Sequence, residues 1–142
     1  MARAYRLAAT IVVAVLTLPL ISAQRVSSDY EAFFTERTMR VDLWHTGGPT
    51  GEVVAFDKAV DDGAWPGSRT NLVDPLNLGS MQFELRDPET SRVLFSRGYA
   101  SVYMEWESTG ENRTDAKTFG ESLRFPWPKA PVRFSPVDSH SM

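Results

Sequence analysis

The sequence predicts an all-β domain: an antiparallel β-sandwich, jelly-roll or immunoglobulin-like, with long irregular connections. Three observations carry this. Short runs of apolar and polar residues alternate with a period of two, turn residues separate them, and no helical period extends beyond about two turns. No internal repeat is present.

The elements follow in order. Residues 24–37 read as a polar lead-in carrying Tyr30, Phe33 and Phe34. From Thr38, Met39, Val41 and Leu43 alternate with Arg40, Asp42 and Trp44, the pattern of a half-buried strand. The run His45 to Gly51 contains Gly47, Gly48 and Pro49 and reads as a turn. Glu52 to Val60 reads as a second strand, ended by a turn at Asp61-Asp62-Gly63. Met81, Phe83 and Leu85 alternate with Gln82, Glu84 and Arg86. A short turn holding Pro88 follows, then a second alternating run from Val93 to Arg97, so the pair reads as a β-hairpin. Gly98 marks a bulge or bend. Tyr99 to Glu107 is rich in β-formers and reads as a further strand, and Ser108 to Lys117 as a loop. Glu121–Phe125 and Val132–Phe134 complete the strands. Pro126, Pro128 and Pro131 between them fit only edges and connections. The domain is expected over residues 38–135, with a polar tail at 136–142.

Residues 1–23 have the form of a secretory signal peptide. Arg3 and Arg6 precede an apolar run from Leu7 to Ile21, and Ser22-Ala23 supplies the small-residue exit. The run is too short for a membrane span of about 20 apolar residues. Cleavage after Ala23 would leave one domain of 119 of the 142 residues, secreted to the periplasm or the exterior. Losing Arg3 and Arg6 leaves 13 of the 15 basic residues against 18 acidic ones, a net charge of −5. This acidic balance argues against nucleic acid as a partner, and against a membrane once the signal is removed. With no cysteine, stability must come from packing, for which eight Phe and four Trp are available.

The search for chemistry yields little. His45 and His140 lie far apart and no His-Glu-x-x-His string occurs, so no zinc site is expected and both histidines read as solvent-exposed. No metal and no cofactor are predicted. Asp57, Asp61 and Asp62 lack the EF-hand spacing and read as a surface turn. No Gly-x-Ser-x-Gly string is present, and nothing points to a Ser–His pairing through His45. Glu105 and Glu107 flank Trp106. On a strand their carboxylates would share one face about 6.5 Å apart, with Trp106 in the core. A solvated face explains them better than a carboxylate-based hydrolase. Asn112-Arg113-Thr114 is a glycosylation acceptor string, meaningful in a eukaryotic secretory host. Trp44, Trp65 and Trp127 could form a sugar-stacking platform, with core packing as the stronger reading.

Specific strings then say more than periodicity. Thr38-Met-Arg-Val-Asp-Leu-Trp-His-Thr-Gly47 resembles the first strand of the N-terminal domain of M64-family peptidases, the family named for an IgA protease. Trp65-Pro-Gly-Ser-Arg-Thr-Asn-Leu72, leading through Asp74 to Leu76-Asn-Leu-Gly79, resembles that domain's most recognisable segment. Ser96-Arg-Gly98, Glu105-Trp106-Glu107 and Glu121-Ser-Leu-Arg-Phe-Pro126 continue the resemblance in order. It implies a secreted accessory domain, normally joined to a C-terminal zinc peptidase domain that holds the metal and the catalytic glutamate. No position matches that catalytic motif, so the resemblance implies no catalytic residue. The peptidase domain is expected after Met142, so the chain reads as a truncated or split product or as an N-terminal domain kept alone.

The expected partner is therefore an M64-type peptidase domain or a protein substrate. The rival readings are a surface module binding glycan or protein, and a small hydrolase. Trp65, Arg69, Asn71, Glu105 and Trp106 are the candidate contact or structural motif. Arg69 is expected to pair with Asp74 or Glu105 and so fix the long connection on the sheet.

Overall fold

The computed structural model describes residues 29–76 and 78–138. The signal segment and His140 lie outside the described residues. Helix α1 (Asp29–Phe33) leads into β1 (Phe34–Gly48), β2 (Gly51–Ala64), β3 (Met81–Arg86), β4 (Val93–Tyr99), α2 (Val102–Ser108), a 3-10 turn (Glu111–Arg113), β5 (Lys117–Pro128) and β6 (Arg133–Asp138). The strands form two antiparallel sheets, ordered β2-β1-β5 and β4-β3-β6. The fold is the all-β sandwich that the alternation predicts.

Strand β1 organises the first sheet. Val41, Leu43 and His45 face inward and are buried, while Trp44 faces outward and is exposed. The strand is longer than expected at both ends. It starts at Phe34, and Tyr30 and Phe34 are both buried, so the described part of the lead-in belongs to the core. It also runs through Gly47 and Gly48, both paired with β2, and leaves only Pro49 and Thr50 for the turn. The tail is shorter than expected, because β6 pairs with β3 as far as Asp138 opposite Met81.

Strand β2 carries an extra residue at two places. Phe56 pairs with Leu43 and Lys58 with Asp42, leaving Asp57 out of register. Asp61 pairs with Met39 and Ala64 with Arg37, so a second bulge falls at Asp62-Gly63, where Gly63 has φ +89°. The turn expected at Asp61-Asp62-Gly63 is this bulge. Its carboxylates are tied down: Asp61 takes Arg37 Nε and Nη2 at 3.1 and 2.8 Å, and Asp62 bridges Arg40 at 3.2 Å and Arg124 at 2.7 Å.

An aromatic cluster replaces the missing disulfides. The Phe83 ring lies 5.9 to 6.2 Å from those of Phe95, Tyr99, Phe125 and Phe134, joining β3, β4, β5 and β6. Phe95 extends it to Phe34 and Trp65. Such rings combine large apolar burial with favourable edge contacts. Phe83→Ala should therefore cost about 3–5 kcal/mol, read as a lowered urea midpoint.

Asp42 supplies a test by acid. Hydrogen bonds from Ser122 and Arg40 hold its carboxyl below the ordinary range. A depressed carboxylate stabilises the fold above the unfolded-state value, and the contribution is lost as pH falls through the folded-state value. Asp42→Asn should flatten the acid limb of urea midpoint against pH while leaving the shape of the curve near neutrality unchanged.

Candidate functional site

Two constellations stand out, a buried polar cluster under α2 and a pinned connection beside β4. The first centres on His45, which is fully buried rather than exposed as expected. Alternation puts it on the inner face of β1, beyond the apolar pair Val41 and Leu43. Its Nε2 lies 2.6 Å from Glu52 Oε1 on β2, and its Nδ1 lies 3.2 Å from Glu121 Oε1 on β5. Glu121 also accepts hydrogen bonds from the Ser101 hydroxyl and, at 3.4 Å, from Tyr99 Oη. Two acceptors on two ring nitrogens are both satisfied only when both nitrogens carry hydrogen, or when a carboxyl does.

The helix above this cluster is the main departure from the sequence reading, which places a strand from Tyr99 to Glu107. Ser101 caps α2, its hydroxyl accepting from Met104 N at 3.4 Å, and Tyr103 and Trp106 face inward three residues apart. Tyr103 stacks on His45 with ring centroids 3.8 Å apart. Gly47 makes room for it, since a Cβ there would lie 2.0 Å from Tyr103 Oη. Burial first, and then the charges of Glu107 and Glu52, push the Tyr103 phenol upward. Burial and then Glu121 do the same to Tyr99.

This cluster has the parts of a nucleophile site in an unproductive arrangement. Ser101 is 1% exposed and already bonded to Glu121, and it stands 3.5 Å from His45 Nδ1. A substrate carbonyl has no route to its oxygen. Glu52 and Glu121 grip opposite sides of the imidazole, so the three side chains do not converge on a common point. Among the described residues no group of three or more His, Cys, Asp or Glu could hold a metal ion.

Glu105 and Glu107 do not share a face. On a helix, residues two apart project about 200° from one another. Glu105 is exposed, whereas Glu107 accepts from Asn112 Nδ2 at 3.0 Å. That bond occupies the amide of the glycosylation string. Trp106 is buried, donating Nε1–H to Glu111 at 2.8 Å beneath Lys117.

The second constellation is the connection 65–80. Arg69 pairs with Glu36 and lies over the Tyr30 ring, not with Asp74 or Glu105 as expected. The connection is fixed instead by Arg97, whose guanidinium donates to the carbonyls of Leu72 at 3.1 Å and Asn71 at 2.6 Å while stacking on Phe95. Asp74 accepts from Gly98 N at 3.0 Å, and Ser96 Oγ accepts from Asp74 N at 2.9 Å. Gly98 is required because a Cβ would lie 2.2 Å from the Leu78 carbonyl. Trp65 is half-buried, its Nε1–H on the Ser68 carbonyl at 3.2 Å and its ring against Phe95. Asn71 is exposed, and its backbone N–H is held by Ser68 Oγ at 2.8 Å. Thus Trp65, Arg69 and Asn71 lie in one connection, whereas Glu105 and Trp106 lie on α2.

The pinned connection, the β1 string and the α2 cluster all lie within one family match. The peptidase M64 N-terminus family matches residues 29–139, nearly all of the described chain. The chain belongs to that family. The match is to the N-terminal domain of the M64 peptidases, an accessory unit. No curated protein matches the chain.

Sequence reasoning missed Arg97 as the anchor, and missed the Glu52–His45–Glu121 bridge. The signal for α2 was present: Ser101 as a cap, followed by Tyr103 and Trp106 at helical spacing. Gly47→Ala should lower the urea midpoint sharply through its collision with Tyr103. In a double-mutant cycle with Tyr103→Ala, the two losses should fail to add by about 0.5–3 kcal/mol.

Proposed function

We propose that this M64 N-terminal domain is a non-catalytic accessory unit that docks an M64-type peptidase domain, or a protein substrate presented to one, through the connection 65–80. The observation that carries this reading is the exposure of Val73, Leu76 and Leu78, at 47%, 69% and 70%, on and beside a stretch of backbone that Arg97, Asp74 and Ser96 fix from Asn71 to Leu76. Apolar side chains held outward on or beside a fixed backbone bind with little ordering cost. Trp65, Arg69 and Asn71 lie in the same connection and are proposed as its structural frame or contact residues. The chain's acidic balance leaves nucleic acid outside this reading.

Export, to the periplasm or beyond, is part of the proposal and rests on the sequence of residues 1–23. One observation favours a second reading, a glycan-binding module. Trp44 is 48% exposed on the outer face of the first sheet and lies over Gly120. Trp65 and Trp127 are half-buried elsewhere, so Trp44 does not belong to a row of exposed tryptophans.

The test uses the mature chain, residues 24–142, with a separately expressed M64 peptidase domain. The chain alone should contain no stoichiometric zinc and cleave no protein, and it should bind the peptidase domain in sedimentation velocity. Leu76→Asp with Leu78→Asp should abolish binding at an unchanged urea midpoint. Binding to immobilised glycans lost on Trp44→Ala would favour the second reading. Proteolysis by the isolated chain, removed by one point change in it, would overturn the non-catalytic assignment.

A further inference from the structure

Outside the connection 65–80, the polar cluster under α2 is the feature whose arrangement hydrophobic packing does not explain. His45 is fully buried, yet each of its nitrogens faces a carboxylate, Glu52 at 2.6 Å and Glu121 at 3.2 Å. A core built for stability alone would place an apolar side chain here, since buried ionic groups seldom add net stability. The groups packed round the ring come from four elements. Glu52 is on β2, Glu121 on β5 and Tyr99 on β4, while Ser101 caps α2 and Tyr103 belongs to it, with Glu107 of α2 beside Tyr103. Every ionisable group among them is an acid, so an imidazolium would be the one cation of the cluster.

We propose that Glu52–His45–Glu121 is a proton-operated latch that seats α2 on the first sheet, closed while His45 is doubly protonated and opened when it loses a proton. With both protons present, the ring donates to Glu52 and Glu121 at once. Glu121 in turn orients the Ser101 hydroxyl that caps α2, and the flat ring carries Tyr103. Loss of one proton turns a nitrogen lone pair toward a carboxylate. That contact becomes repulsive, and one buried charge loses its counter-charge. Only the doubly protonated ring donates to both carboxylates, so the latch holds on the acid side and opens as pH rises. Acid opposes it only by protonating Glu52 or Glu121 themselves.

The element released is small. Helix α2 has seven residues and rests on the sheet chiefly through Tyr103 and Trp106. The Phe83 cluster lies between the two sheets and meets the latch through Tyr99, which donates to Glu121 at 3.4 Å, but it includes neither Tyr103 nor Trp106, so the sandwich can stay intact while α2 lifts. Such local opening well below the cost of global unfolding is common at segments with few apolar contacts.

The test follows the mature chain by NMR between about pH 5 and about pH 9, where an imidazole can titrate. The His45 ring is observed directly, and hydrogen-exchange protection factors are read for α2 and for β3. The α2 factors should fall about tenfold or more along the His45 titration while those of β3 hold. Glu52→Gln, at the half-exposed rim of the cluster, should keep the fold and move both the titration and the α2 transition to lower pH together, because one stabilising carboxylate is gone. Constant α2 protection across the His45 titration would overturn the proposal. So would a parallel fall in β3, or a ring that does not titrate before the domain unfolds.

Discussion

Strand β1 is hydrogen-bonded along both edges, to β2 and to β5, and its register fixes the environment of nearly every other element. Because side chains alternate, one register decides all inward residues together. Toward one end they are Val41 and Leu43, which meet the aromatic cluster between the sheets. Toward the other they are His45 and Gly47, a polar ring and an empty slot. A slip of one residue would bury Trp44 and Asp42 and turn His45 to solvent. The cluster under α2 is thus a consequence of a single pairing choice.

The fold was legible in the sequence because its signals are local. The hairpin of β3 and β4 follows from alternation on either side of a turn, and the structure places it where that alternation does. Trp106 is in the core as expected, but on a helix and not on the strand from which its burial was read. Three features were illegible because they depend on distant partners. His45 looks exposed beside glycines, and only β2 and β5 bring the carboxylates that allow its burial. Gly47 looks like a turn residue, whereas its smallness serves Tyr103, more than fifty residues away in sequence. Arg69 stands in the recognisable string and was the natural anchor, yet Arg97 lies opposite the carbonyls of Leu72 and Asn71 once β4 is paired. Helix α2 carries a cap signal at Ser101, but Val102, Tyr103 and Trp106 also favour strands, so the local signals conflict until a packing surface decides.

The two constellations differ in how they are held. The connection 65–80 is fastened by the Arg97 guanidinium on two backbone carbonyls, by Ser96 Oγ on the Asp74 amide and by the Asp74 carboxylate on the Gly98 amide. The cluster under α2 is fastened by side chains that exchange protons. The domain therefore combines one connection held against β4 with one helix seated on side chains, and the Phe83 cluster touches both, through Phe95 and through Tyr99. Without disulfides, that aromatic packing joins the two sheets.

The bulges at Asp57 and at Asp62-Gly63 have a bearing on life at high local concentration. Strand β2 is an outer strand of fourteen residues that shows Val53, Ala55 and Phe56 to solvent. A flat ribbon of that length would act as a template on which other molecules could zip into fibrils. Two interruptions of the ladder leave it no long uninterrupted stretch to offer, and each adds local coiling that a straight newcomer cannot follow. The strand can then keep an unsealed margin without offering a continuous ladder to another molecule.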